Sequence, residues 1–238
     1  MNLKAVILAG GLGTRLKPFT EIIPKPLLPI GEKSILEIQI EHLKNYGFHD
    51  IYIATNYKSE YIEKFLGDGS RYGVNITISK EKKQLGTVGP LSLLKEELKT
   101  PFLVINGDIL TNFDYSKLYE FSKKNNSILT ITVKEILMPF AFGNIYFEGD
   151  YVTGIEEKPD IKSNILAGIY LFKTEIFDII PYNQFYNMDT LINKMLEEKI
   201  PISKFEIKDY WLDIGQIDDF KKAQEIYKKH LNSTNNAK

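Results

Sequence analysis

The amino-acid sequence predicts an α/β fold, a mostly parallel mixed sheet with helices on both faces. Three observations lead there. Short β-branched apolar runs alternate with amphipathic stretches through the first half of the chain. That rhythm gives way to a hairpin-like pattern near Gly143. The composition, 43% apolar and 26% charged over 238 residues, is that of a globular protein with a sizeable core.

Lys4 to Ala9 reads as a buried strand that empties into the glycine turn Gly10 to Gly13. Ser34 to Tyr46 reads as a helix, with Ser34 and Glu37 spaced as a capping box and Gly47 at its end. Ile51 to Thr55 is a strand, Glu60 to Leu66 a helix and Val74 to Ser79 a strand. Pro90 to Leu98 reads as a helix, and Phe102 to Ile105 as a strand running into Asn106-Gly107-Asp108. Tyr115 to Lys124 is a helix and Ile128 to Lys134 a strand. Gly143 to Phe147 and Tyr151 to Glu156 then flank Glu148-Gly149-Asp150 as a hairpin. Leu166 to Phe172 adds a strand, Glu175 to Ile180 and Asp189 to Glu198 two helices, Ile202 to Ile207 a strand and Ile217 to Leu231 a closing helix. Residues 232–238 are polar and read as a frayed tail. No internal repeat, hexapeptide β-helix pattern or linker interrupts the chain, so one sheet is expected to span both halves, with ligands beyond its carboxyl ends.

Thirty basic residues nearly cancel thirty-one acidic ones, leaving a net charge of −1. A nucleic-acid partner, which favours a basic field, is not expected, and any anion must be met by a few local groups. The absence of cysteine excludes disulfides and thiolate metal sites. Met1 to Ala9 is too short an apolar run for a secretory signal, and no stretch approaches a membrane span. The expected compartment is the cytoplasm, with no membrane partner.

Leu8-Ala9-Gly10-Gly11-Leu12-Gly13-Thr14-Arg15 is the most informative segment. Glycines leaving a buried strand permit positive φ and let backbone N–H groups approach an anion. A plain turn would account for the glycines alone. Arg15 directly after them, able to grip phosphate oxygens bidentately, and Lys25 between Pro24 and Pro26 as a positioned point charge favour phosphate binding. Two rival motifs fail: Leu16 stands where a dinucleotide fingerprint needs its third glycine, and the chain has no G-K-[ST].

The run Gly10-Gly11-Leu12-Gly13-Thr14-Arg15-Leu16-Lys17-Pro18-Phe19-Thr20, followed by Pro24-Lys25-Pro26-Leu27-Leu28-Pro29-Ile30, resembles the signature of sugar-phosphate nucleotidylyltransferases. The likeness extends to the final helix. It implies a Rossmann-like, GT-A-like single domain over 1–231, with a nucleotide-binding part over about 1–135 and a sugar-binding part over about 136–231. It further implies nucleotide contacts from Leu8, Ala9, Gly10, Gly11, Gly13, Thr14, Arg15, Lys25, Glu81, Gly86, Thr87 and Asp108. Arg15, Lys25 and Asp108 would be catalytic. Asp108 of N-G-D and Asp213 of Trp211-Leu212-Asp213-Ile214-Gly215 match the family's two Mg²⁺-ligating aspartates, although either alone is more simply a solvated or turn-capping residue. A GT-A glycosyltransferase would want Asp-x-Asp, but Ile109 and Leu110 follow Asp108.

Leu85-Gly86-Thr87-Val88-Gly89 resembles the loop that reads the base, and Glu81 before it is either part of that reader or of a flexible polar loop. Gly143 and Glu157 resemble groups that meet the sugar hydroxyls, and Lys158 the one that binds the sugar phosphate. Leu166 departs from the family: relatives carry asparagine there, so either an apolar contact replaces a hydroxyl hydrogen bond or Leu166 packs the core. Trp211 reads as core, Phe185-Tyr186 as either pocket rim or packing, and His42, His49 and His230 as surface or structural residues. The implied reaction is Mg²⁺-dependent transfer of a nucleoside monophosphate to a sugar 1-phosphate. The segments around Lys25 and Gly86 look most like guanylyltransferases acting on mannose, heptose or glucosamine 1-phosphate, which points to GTP. CTP, UTP, dTTP and a non-catalytic nucleotide-sugar sensor stay open, as does assembly into a homo-oligomer.

Overall fold

The computed structural model describes the backbone of residues 3–235 and the side chains of residues 3–227. In chain order its first elements are β1 (Leu3–Leu8), α1 (Phe19–Ile22), β2 (Pro29–Ile30), β3 (Lys33–Ser34), α2 (Ile35–Asn45), β4 (Phe48–Thr55), α3 (Ser59–Leu66) and β5 (Asn75–Lys80). There follow β6 (Phe102–Asn106), β7 (Ile109–Thr111), α4 (Tyr115–Lys124), β8 (Leu129–Pro139), β9 (Asn144–Glu148) and β10 (Tyr151–Glu156). The last are β11 (Asp160–Phe172), α5 (Met188–Glu197), β12 (Ile202–Glu206), β13 (Trp211–Asp213) and α6 (Ile217–Asn235).

One seven-stranded sheet runs β12-β8-β11-β6-β1-β4-β5 across both halves of the chain. β1, β4, β5 and β6 are mutually parallel, β12 is parallel to β8, and β11 is antiparallel to both β6 and β8. The apolar runs are continuous because the sheet is buried on both faces. Ala5 and Ile7 of β1 enter one core with Leu36, Ile40, Ile62 and Leu118 from α2, α3 and α4. Val6 points the other way, into a core with Leu191 and Met195 of α5.

The capping box of α2 is formed: Ser34 Oγ accepts the Glu37 backbone N–H, and Glu37 accepts the Ser34 backbone N–H. Two expected helices are instead short 3-10 segments, Gly89–Leu94 and Thr174–Asp178. The first is buried at all but one of its positions, so it lacks the polar face that steadies a longer amphipathic helix. The closing helix reaches Asn235, past the expected stop at Leu231; residues 236–238 of the expected tail lie outside the described residues. No helix among the described residues is long and apolar enough to cross a membrane.

β11 bulges where it passes the end of β6, its register against β8 shifting between Leu166 and Tyr170. Gly168 makes this possible. Its φ is +70°, and a Cβ there would come within 2.8 Å of Asn106 Nδ2 and 3.1 Å of Ile109 Cγ1. We expect Gly168→Ala to cost about 1–3 kcal/mol through left-handed strain alone, roughly 2–12 °C in melting temperature for a chain of this size. An unchanged thermal melt would show that the bulge relaxes without strain.

Candidate active site

The parallel strands β1, β4, β5 and β6 end at one edge of the sheet, with Leu8 level with both Ala54 and Asn106, and Thr55 level with Lys80. The segments leaving them therefore meet. Leu8, Gly10, Gly11, Glu81, Gly86, Thr87 and Asp108 line one cleft of about 340 Å³. Ala9, Gly11, Lys25 and Asp108 line a smaller recess beside it. Gly13, Thr14, Arg15, Lys25, Asp108 and Gly215 surround a third space. All twelve residues expected to contact the nucleotide are thus gathered at this edge.

Of the three turn glycines only Gly13 adopts a positive φ, +62°. Its carbonyl accepts Leu16 N–H and the Thr20 hydroxyl, which closes the turn and leaves Arg15 exposed beside Gly215. Gly10 is needed for space instead, since a Cβ there would approach Glu81 Oε1 to 2.9 Å. Glu81 is not part of a loose loop: its Oε2 accepts Leu85 N–H at 3.1 Å, and burial raises its carboxyl above the usual range. Gly86, with φ +78°, lies against Asn187 Oδ1, and Thr87 N–H donates to that oxygen while Thr87 Oγ1 accepts Met188 N–H at the start of α5.

Lys25 is 9% exposed, and its Nζ donates to Asp108 Oδ2 at 2.5 Å. Asp213 stands next to this pair because β13 pairs antiparallel with β7, Asp213 opposite Ile109, and Ile214 N–H donates to the Asp108 carbonyl at 3.0 Å. Asp213 Oδ1 is buried without a hydrogen-bond partner. Its carboxyl is pushed up to about 6, first by burial and then by the charge of Asp108, against the pull of Lys25 and Arg15. No cluster of three or more metal-ligating side chains exists among the described residues. Two adjoining carboxylates with an unpartnered oxygen nevertheless suit Mg²⁺, which takes its remaining ligands from water and substrate phosphates.

The sugar-side residues lie apart. Gly143, Glu157 and Lys158 are exposed and line none of these three spaces. Gly143 and Glu157 do adjoin, a Cβ on the glycine falling 3.0 Å from Glu157 Oε2, and Lys158 takes a φ of +48°. Leu166 is 40% exposed and sits opposite Val133, so the reading that packs it in the core is wrong. Trp211 is only half-buried; its indole N–H donates to the Ala167 carbonyl at 2.7 Å, tying β13 to the bulge of β11. His42 is structural: its Nε2 bonds the Phe113 carbonyl at 2.8 Å, and burial lowers its pKa. His49 is exposed, and the side chain of His230 lies outside the described residues.

Sequence reasoning missed Gln84, Asn106 and Asn187, which line the main cleft, and left Phe185 open between pocket rim and packing; it borders this same cleft. Asn187 and Phe185 are brought there by Tyr186, whose N–H donates to the Leu85 carbonyl and whose carbonyl accepts Val88 and Gly89 N–H. A pairing across about a hundred residues leaves no local pattern.

The family model described as nucleotidyl transferase matches residues 4–230, and the chain belongs to that family. The chain is 36% identical over 245 residues to a mannose-1-phosphate guanyltransferase of Yarrowia lipolytica, covering 98% of this chain and 66% of the relative. It thus spans just under two thirds of that protein's length. Among solved structures, HddC from Yersinia pseudotuberculosis complexed with GMP-PN superposes with a TM-score of 0.74 at 30% identity, covering 94% of this chain and 99% of that one. A Bacillus anthracis structure assigned as a glucose-1-phosphate thymidylyltransferase and holding sucrose superposes with a TM-score of 0.77 at 26% identity, covering 94% of this chain and 95% of that one.

The geometry of Asp213 yields a pH prediction. The folded chain holds the Asp213 proton more tightly than the unfolded chain, whose carboxyl titrates near 3.8. Stability from this group is complete below that value and is lost as pH rises through about 6. With metal removed by a chelator, Asp213→Asn is expected to melt above the wild type at pH 8, and the gap should close as pH falls from about 6 to about 4. A gap independent of pH would mean that Asp213 is not held against its charge.

Proposed function

We propose that the chain catalyses sugar-1-phosphate nucleotidylyl transfer: a sugar 1-phosphate and a nucleoside triphosphate, GTP foremost, give a nucleotide sugar and pyrophosphate. The observation that carries this reading is the convergence of the Gly10–Arg15 turn, Lys25, Asp108 and Asp213 at one sheet edge, from segments that lie up to two hundred residues apart. The name of the Yarrowia relative and the nucleotide analogue in the Yersinia structure support GTP. The Bacillus neighbour keeps dTTP as the second reading. A chain without cysteine suits a cytoplasmic enzyme.

In this mechanism a phosphate oxygen of the sugar 1-phosphate attacks the α-phosphorus in line, the bond to the bridging oxygen breaks, and pyrophosphate leaves with that electron pair. The nucleophile is already an anion, so no protein nucleophile or general base is required. Catalysis then rests on positioning and on charge stabilisation. Arg15 would grip phosphate oxygens bidentately, and Lys25 would meet the transferring phosphate once it lets go of Asp108. Asp108 and Asp213 would hold Mg²⁺, which when bound neutralises phosphate charge. Glu81, Gly86 and Thr87 would face the base, Gly143 and Glu157 the sugar hydroxyls, and Lys158 the sugar phosphate. The 1–135 portion would thus serve the nucleotide and the 136–231 portion the sugar.

Pyrophosphate release from GTP, CTP, UTP and dTTP against a panel of sugar 1-phosphates tests the proposal, with GTP expected to be fastest. Arg15→Ala should lower turnover by roughly two to three orders of magnitude, as loss of a charge-stabilising donor does, without unfolding the chain. Near-normal turnover would remove the phosphate turn from the mechanism.

Leu166 gives a separate prediction about the sugar. An asparagine there would add a hydroxyl partner, and sites that hydrogen-bond a hydroxyl discriminate strongly against analogues lacking it. Leu166→Asn should therefore change the ratio of kcat/KM values among sugar 1-phosphates while the order of preference among triphosphates stays fixed. A uniform loss across the panel would show that Leu166 does not face the sugar.

A further inference from the structure

We propose that Gln39 is the positioning residue for both carboxylates of the site. It does not itself line the cleft, and the inference rests on the nucleotidylyl-transfer reading only for its catalytic consequence.

Gln39 lies on the core-facing stripe of α2, between the buried Leu36, Ile40 and Leu43, and is 2% exposed. A polar amide at such a position costs free energy unless its groups are paired. Here both donors of one nitrogen are used: Nε2 donates to the Asn106 carbonyl at 2.9 Å and to the Ile109 carbonyl at 2.8 Å. These carbonyls bracket Gly107-Asp108, one at the end of β6 and the other at the start of β7. The amide is thus a clamp across the corner that carries Asp108. Its orientation follows from chemistry, since only the NH₂ end can face two acceptors.

The opposite end of the amide is unpaired. Gln39 Oε1 is buried without a partner. Leaving such an oxygen orphaned opposes stability, so the clamp carries a cost at its other end. An apolar side chain of similar shape would fit the stripe of α2 without that cost. What it would lack is the pair of hydrogen bonds that fixes the corner.

The clamp reaches Asp213 as well. Ile109, whose carbonyl Gln39 holds, is the register partner of Asp213 on β13, and the Asp108 carbonyl accepts Ile214 N–H. A shift of the corner would therefore displace both aspartates together. α2 is a firm platform for this because its capping box fixes the first turn and Leu36, Ile40 and Leu43 anchor it in the core. Groups that orient charged ligands from behind typically change metal affinity or activity by roughly ten- to a hundredfold when lost.

The test uses the full chain with Gln39→Met, which keeps shape and removes both donors, and Gln39→Glu. Amide hydrogen exchange, read without metal or substrate, should speed up at least about tenfold at residues 107–109 and 213–214 in Gln39→Met, while β1 and β4 keep wild-type protection. In the pyrophosphate assay kcat should fall roughly ten- to a hundredfold and the magnesium concentration for half-maximal rate should rise, with KM for GTP changed by less than about threefold. Gln39→Glu can donate one hydrogen bond when protonated, so its activity relative to wild type should recover as pH falls, a recovery Gln39→Met cannot show. Wild-type exchange at the corner with wild-type kcat and magnesium response in Gln39→Met would overturn the proposal. So would a general rise in exchange across the sheet with unaltered kcat, which marks a purely structural residue. A wild-type protein that releases no pyrophosphate from any pair would overturn the proposed reaction instead, and the exchange experiment would still decide whether Gln39 holds the corner.

Discussion

The ion pair between Lys25 and Asp108 is the interaction around which the rest of the site is arranged. Its side chains are only 11% and 25% exposed, and they come from segments 83 residues apart. A part-buried charge that loses its partner is left uncompensated, so each of these two groups constrains the other. The pair draws the 3-10 turn at Lys25–Leu27 onto the corner after β6, and the recess between them is floored by Ala9, Gly11 and Gly107. Gly107 is required there because a Cβ would come within 2.8 Å of the Leu8 carbonyl. The glycine turn and the carboxylate corner are consequently one packed unit, joined also by the hydrogen bond from Gly107 N–H to that carbonyl.

The sheet supplies the other half of the constraint. Parallel strands deliver their carboxyl ends to one edge, so the loops after β1, β4, β5 and β6 converge without any long excursion. β11 runs antiparallel beside β6, so its first part lies at the same edge while Phe172 ends level with Phe102 at the opposite one. Its bulge at Gly168 fits against Asn106, and Trp211 fastens β13 to the adjoining Ala167 carbonyl. That is how Asp213, far along the chain, arrives beside Asp108.

Much of this was legible in sequence because local physics and packing agree. The capping box at Ser34 and Glu37, the doubly buried apolar runs of β1 and β6, and the hairpin around Gly149 each carry their own signal. The phosphate turn stood out through glycines with basic residues at fixed spacing. What was not legible depends on contacts between distant segments. Asn187 and Phe185 reach the cleft only through the pairing of Tyr186 with the Leu85–Gly89 loop. Gln39 did leave a trace, a polar residue inside an apolar helical stripe, but its two acceptors are 67 and 70 residues away. The 3-10 segment at Gly89–Leu94 was misread because apolar residues buried all round look like a helix by composition while lacking its polar face.

On the proposed function, the same charges bear on how a chain with a net charge of −1 would host polyanions. Long-range attraction is absent, so selectivity must come from a local field. That field is unfinished in the protein alone: Lys25 neutralises Asp108, Arg15 is exposed beside Gly215, and Asp213 is held against its charge with one oxygen unpartnered. A triphosphate by itself would meet two carboxylates, and a divalent cation by itself would compete with Lys25 for Asp108. On the proposed function, arriving together they would suit every group: the cation would answer the carboxylates, Lys25 would be freed to meet phosphate, and Arg15 would gain an acceptor. Each would then favour binding of the other because it would remove a repulsion the other faces, a coupling that linkage makes reciprocal. On the proposed function, the pairing of Lys25 with Asp108 would be the resting arrangement of that switch, and the unpartnered oxygen of Asp213 would be a ligand for the cation.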